Sequence, residues 1–122
     1  LYNIKDAEAQ KSLVYSQNET DTGMIWFDGK KIYRKVIILP AVAKGTKYSF
    51  DISNLMISTP IQINGFIKIS ADTLIPLLNS DEVDHAFNTY IKIQNNMLVF
   101  SNGAKREILD GFAVLTYTKT TN

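Results

Sequence analysis

Residues 23–40 read GMIWFDGKKIYRKVIILP, and this stretch decides how the rest of the chain is read. Two runs rich in β-branched and aromatic side chains meet at Asp28-Gly29. An Asp-Gly pair between such runs is the strongest short-range hairpin signal, because a type I′ turn needs positive φ at both central residues. The pattern predicts that Met24 to Phe27 pairs back on Lys31 to Leu39. Pro40 ends the second strand, since it has no N–H to give a ladder. Both faces of this hairpin are apolar, with Met24, Trp26, Ile37 and Leu39 on one and Ile25, Phe27, Val36 and Ile38 on the other. Both faces therefore call for cover, from the domain itself or from a second subunit.

Downstream, Tyr48, Phe50 and Ile52 alternate with polar residues, the period-two signature of a half-buried strand. Leu55 to Ser58 is another short strand candidate, punctuated by Pro60. Ile61 to Ser70 alternates around Asn64-Gly65, a pair that suits either a tight turn or a bulge in a longer strand. Thr89 to Gln94 and Met97 to Ser101 flank Asn95-Asn96, which tolerate left-handed backbone. Phe112 to Thr118, opened by Asp110-Gly111, is the last strand. The stretch 71–86 is the least regular, with room for one helical turn after Ser80. Upstream, residues 1–12 carry no strand-like run and read as a connector from an N-terminal stalk or shoulder, leaving residues 13–122 as the head. The opening at Leu1 fits such a fragment.

About seven to nine short strands, with turn signals roughly every 8–12 residues, predict an all-β fold. The expected architecture is a single antiparallel β-sandwich or barrel, jelly-roll-like. Alternation nominates a core of Ile25 and Phe27 or their neighbours, Val36 and Ile38, Phe50 and Ile52, Ile67 and Ile69, Ile91 and Ile93, and Val114 and Thr116.

Composition narrows the function classes. At 122 residues the chain is one domain with room for a real core. Its 45% hydrophobic and 20% charged residues are those of a folded globular chain. Thirteen Lys and Arg against 12 Asp and Glu leave a formal charge of +1, which calls for no nucleic-acid or acidic-membrane partner. There is no cysteine, so disulfides, thiolate metal sites and thiol nucleophiles are out. No apolar run approaches the roughly 20 residues of a membrane-spanning helix.

The search for catalytic sets yields little. His85 is the single histidine, too few for most His-based metal sites. No nucleophile-elbow pattern is present, and the glycines are spaced singly, as turn glycines are. A polysaccharide-degrading enzyme would need two converging acids, drawn from Asp81, Glu82 or Asp84 with Asp28; a solvated acidic loop is the plainer reading of that cluster. Binding is what remains, with no cofactor or metal called for. Trp26, Tyr33 and Arg34 are near one another on the hairpin, offering an aromatic and a bidentate donor to a saccharide. Asp84, His85 and Asn88 lie on a long polar loop, where sites concentrate on a rigid scaffold.

A resemblance extends this reading. Tyr15-Ser16, Glu19, Thr22-Gly23, Trp26, Asp28-Gly29-Lys30 and Ile32-Tyr33-Arg34-Lys35 resemble a block that recurs in structural proteins of phages and prophages of Gram-positive bacteria. It is often found in the C-terminal head domain of tail-tip, baseplate or neck-fibre proteins. The likeness covers residues 15–39. It departs at Lys31, where proline is common, and in a longer Glu19–Gly23 spacing. The resemblance implies a virion protein, commonly a homotrimer among other tail or neck proteins, whose β-sandwich or barrel head adheres to host cell-wall polysaccharide at the cell surface. On that reading the chain is a non-enzymatic receptor-binding domain, without nucleic-acid binding or membrane insertion. A purely structural neck or baseplate module is the alternative.

Overall fold

The computed structural model describes residues 15–77, 89–103 and 107–121. The connector over residues 1–12 and the helical turn after Ser80 lie outside the described residues. Among the described residues eight strands follow in order: β1 (Thr20–Ile25), β2 (Lys31–Leu39), β3 (Lys47–Asp51), β4 (Ile57–Ser70), β5 (Thr73–Pro76), β6 (Thr89–Gln94), β7 (Met97–Asn102) and β8 (Asp110–Lys119). A short 3-10 turn, Ser53–Leu55, precedes β4. The strands form two antiparallel sheets, ordered β1-β2-β8-β4-β5 and β3-β7-β6, as in a β-sandwich. Among the described residues neither sheet closes into a barrel. The chain divides into two compact units. One holds β1, β2 as far as Ile37, Met56–Ile63 and the part of β8 from Val114; the other holds Ile38–Leu55 and Asn64–Ala113.

In the first unit the hairpin forms as expected, but with a different turn. The Gly29 N–H donates to the Trp26 carbonyl and the Trp26 N–H donates to the Lys30 carbonyl, at 2.9 and 2.8 Å. Gly29 has φ +89°, while Asp28 is not in the left-handed region. This is a type I turn closed by a left-handed glycine, a three-residue loop rather than the two-residue type I′ turn. Asp28 plays the other part: its Oδ1 accepts the Lys30 N–H at 3.0 Å. Pairing also begins earlier than Met24, with Thr20 opposite Arg34, Asp21 opposite Tyr33 and Ile25 opposite Lys31. The register shift between Asp21 and Ile25 is a bulge whose freed groups are tied by side chains. Asp21 Oδ1 accepts from the Gly23 N–H, and the Thr22 hydroxyl donates to the Ile32 carbonyl at 2.8 Å.

Pro60 lies inside β4 instead of ending a shorter strand. The Thr59 N–H donates to Thr118 Oγ1 on β8, so the next nitrogen faces the opposite edge. There β5 does not reach, since its pairing covers only Phe66 to Ser70. Among the described residues nothing pairs with that edge, and a proline at such an edge removes no ladder bond. Asn64-Gly65 is likewise internal to β4. In the second unit, a Cβ built on Gly65 would meet the Phe112 carbonyl oxygen at 2.0 Å, and one on Gly111 would meet that of Phe66 at 2.7 Å. The two backbones approach so closely that neither position takes a side chain.

The second unit's three-stranded sheet follows the expected pattern. Asn95 and Asn96 both have left-handed φ, at 53° and 60°, and join β6 to β7 in a two-residue hairpin. β3 pairs with β7, Phe50 opposite Leu98 and Tyr48 opposite Phe100.

The core takes a different phase on several strands. Ile37 and Leu39 are buried on β2, while Ile38 is exposed; on β8 Ala113, Leu115 and Tyr117 are buried, rather than Val114 and Thr116. Ile52, Ile67 and Ile91 are buried as expected, and Phe50, Ile69 and Ile93 are half-buried. Ile25 and Phe27 are exposed, and so is Met24. The hairpin's apolar residues at this end are therefore not covered by the described residues.

Candidate functional site

The three hairpin residues nominated from the sequence do not converge. Successive strand residues point to opposite faces, so Tyr33 and Arg34 part at once. Arg34 lays its guanidinium 4.0 Å from the centre of the Tyr15 ring. Tyr33 stacks on Tyr117, with ring centres 6.3 Å apart and Lys119 Nζ 5.3 Å from its own ring. Trp26 goes with the turn, its ring 5.2 Å from that of Phe27. The residues Asp84, His85 and Asn88 lie outside the described residues.

The cluster that does form was not nominated. Tyr117, a core residue of β8, donates its hydroxyl to Glu19 Oε2, and Lys119 Nζ meets Glu19 Oε1 at 2.7 Å. Burial pushes the Tyr117 phenol well above its usual value, and the Glu19 carboxylate that accepts its proton adds to the shift. Each polar group here has a partner. The cluster is a clasp that ties the segment before β1 to β8, and it offers no free group to a substrate.

The residues that carry the phage-protein resemblance play structural parts of this kind. Tyr15 lies under Arg34, and the Ser16 carbonyl accepts the Val36 N–H. Glu19 makes the clasp, and Gly23 sits in the bulge with φ +80°. Asp28 and Gly29 make the turn, and Lys30 Nζ donates to the Lys119 carbonyl at 3.2 Å. The block builds a hairpin.

What this hairpin presents to solvent is its tip. Phe27 is 90% exposed and Trp26 half-buried beside it; Met24 and Ile25 are 54% and 60% exposed. A run of neighbouring exposed apolar side chains, unlike a single one, marks a contact surface. The tip is held by the closed turn, the Asp28 side chain and the Lys30 tether, so the backbone that carries the aromatic pair is pre-positioned. Among the described residues no group of His, Cys, Asp and Glu is placed to hold a metal ion. No family model, curated protein or solved structure matches this chain.

Proposed function

We propose that this chain is the head domain of a phage tail or neck appendage that adheres to host cell-surface saccharide without cleaving it. The observation that carries the reading is the exposed Phe27 with Trp26 beside it, on a hairpin whose turn is fixed by hydrogen bonds. Aromatic faces on rigid elements stack on the C–H faces of sugar rings and need little ordering on binding. The resemblance of residues 15–39 supplies the phage setting, the exposed position on the virion and the expected homotrimer.

A second reading rests on Met24 and Ile25, which are exposed next to the aromatic pair in the hairpin. Aliphatic side chains of this size suit a protein neighbour better than a sugar. They favour a structural virion module in which the hairpin meets another subunit.

One experiment separates the two. The labelled domain is bound to Gram-positive host cells before and after their wall polysaccharide is stripped, alongside its mass in solution. Adhesion that disappears with the polysaccharide, and falls in Phe27→Ala, is the expected result. A folded oligomer that ignores intact cells overturns it in favour of the structural module. Release of reducing sugar from wall material overturns the non-cleaving part.

A further inference from the structure

The pairing of β3, β7 and β6 sorts their side chains into two faces. Tyr48, Phe100 and Ile91 form one cross-strand row, and Phe50, Leu98 and Ile93 another. On these rows Leu98 and Phe100 are fully buried and Ile91 is buried, while Tyr48 on the outer strand is exposed. The alternate rows are Lys47, Ser101 and Tyr90, then Ser49, Val99 and Lys92, then Asp51, Met97 and Gln94. By the period of two they share the opposite face. Lys47, Lys92, Ser49, Gln94 and Tyr90 are all exposed there, Tyr90 by 42%.

We propose that this solvent face of β3-β7-β6 is a second contact surface, one that takes an acidic polysaccharide across Tyr90, Lys47 and Lys92. Tyr90 supplies the stacking ring, and Lys92 holds its ammonium 5.9 Å from the ring centre. Lys47 stands two strands away, roughly 10 Å from Tyr90 between backbones. Neither lysine has an ion-pair partner among the described residues. Among the described residues the acid on this face is Asp51, whose Oδ1 accepts the Ser53 N–H at 2.8 Å. A hydrogen bond from Ser101 holds the Tyr90 phenol below its usual value, with Lys92 and Lys47 adding to the effect. Ser49, Ser101 and Gln94 give sugar hydroxyls donors and acceptors. A ladder of this kind, closed at one end by the Asn95-Asn96 turn, keeps the groups in register. Two cations flanking an aromatic ring match a chain that alternates apolar sugar faces with carboxylates or phosphodiesters.

This surface belongs wholly to the second unit, and the proposal stands without the hairpin tip. Polygalacturonate is the acidic probe, dextran the neutral one and a single-stranded oligonucleotide the non-saccharide polyanion. Binding to polygalacturonate but not dextran is expected, weakening as salt rises. The double substitution Lys47→Gln and Lys92→Gln is expected to weaken it about tenfold or more, and Lys47→Arg with Lys92→Arg to restore it. Tyr90→Ser weakens binding with the salt dependence kept. Lys68→Gln, which removes one charge from a different sheet, leaves binding unchanged, and thermal melts confirm that each variant is folded. Equal binding to dextran, an unchanged affinity in the lysine double variant, or a preference for the oligonucleotide overturns the proposal. Loss of cell adhesion in Phe27→Ala with polygalacturonate binding intact would separate the two surfaces.

Discussion

Tyr117 carries a polar tip into the core, and the clasp with Glu19 and Lys119 is what makes that position tolerable. Tyr117→Phe keeps the packed ring and loses the hydrogen bond. A destabilisation of about 1–2 kcal/mol in denaturant unfolding is expected, smaller than for Tyr117→Ala, which also opens a cavity. Gly65 is constrained by sterics instead. Gly65→Ala would put a methyl 2.0 Å from the Phe112 carbonyl oxygen. The strands must separate, and a loss on the order of 3 kcal/mol is expected, measured in the same way. Neither role was legible in the sequence. Glu19 and Tyr117 are far apart along the chain, and a Tyr on an alternating strand looks like any other amphipathic residue. Asn64-Gly65 announced a special backbone site, as a turn or a bulge. What the special site was for depended on Phe112, a residue of another strand.

Strand existence was written more clearly than strand phase. The period of two marks which residues share a face and says nothing about which face is inside when both are apolar. This is why β2 and β8 bury Ile37, Leu39, Leu115 and Tyr117 where the opposite sets were expected. The turns repeat the lesson. Asp28-Gly29 and Asn95-Asn96 both signal hairpins, yet the first is a type I turn with a left-handed Gly29 and the second has two left-handed residues. The difference lies in pairing register, which a dipeptide does not encode. It has a measurable consequence. Asn96→Gly relieves a left-handed side chain in a two-residue turn and is expected to stabilise the domain by about 0.5–1 kcal/mol or leave it unchanged. Asn96→Val places a β-branched residue there and is expected to cost about 1–2 kcal/mol. Thermal melts of the pair decide it. The candidate site was least legible of all, because Trp26, Tyr33 and Arg34 are close in sequence while each meets a different neighbour.

For the molecule as a whole, hydrogen bonds to two aspartates and the burial of one tyrosine contribute to opposite limbs of the stability profile. Asp51 and Asp72, both in the second unit, are held below their ordinary value of 3.8, Asp51 first by the Ser53 N–H and Asp72 first by the Ser70 hydroxyl. A carboxylate lowered in the folded state contributes stability above its unfolded value. That contribution is lost as pH falls below 3.8 and through the lower folded value. Tyr117, in the first unit, is raised above its ordinary 10.0 by burial and by Glu19. Its contribution is complete below pH 10. It is lost as pH climbs further, because the unfolded phenol ionises while the folded one does not. The melting temperature is therefore expected to fall on both sides of a neutral plateau, for different reasons in different residues. Asp51→Asn combined with Asp72→Asn should shallow the acid limb and leave the alkaline one unchanged. Tyr117→Phe should lower the plateau and flatten only the alkaline limb. Melts recorded from acid to alkaline pH on the three proteins test this directly. An alkaline limb that survives in Tyr117→Phe would mean that the clasp does not govern stability above pH 10, and the role given to Glu19 would fall with it.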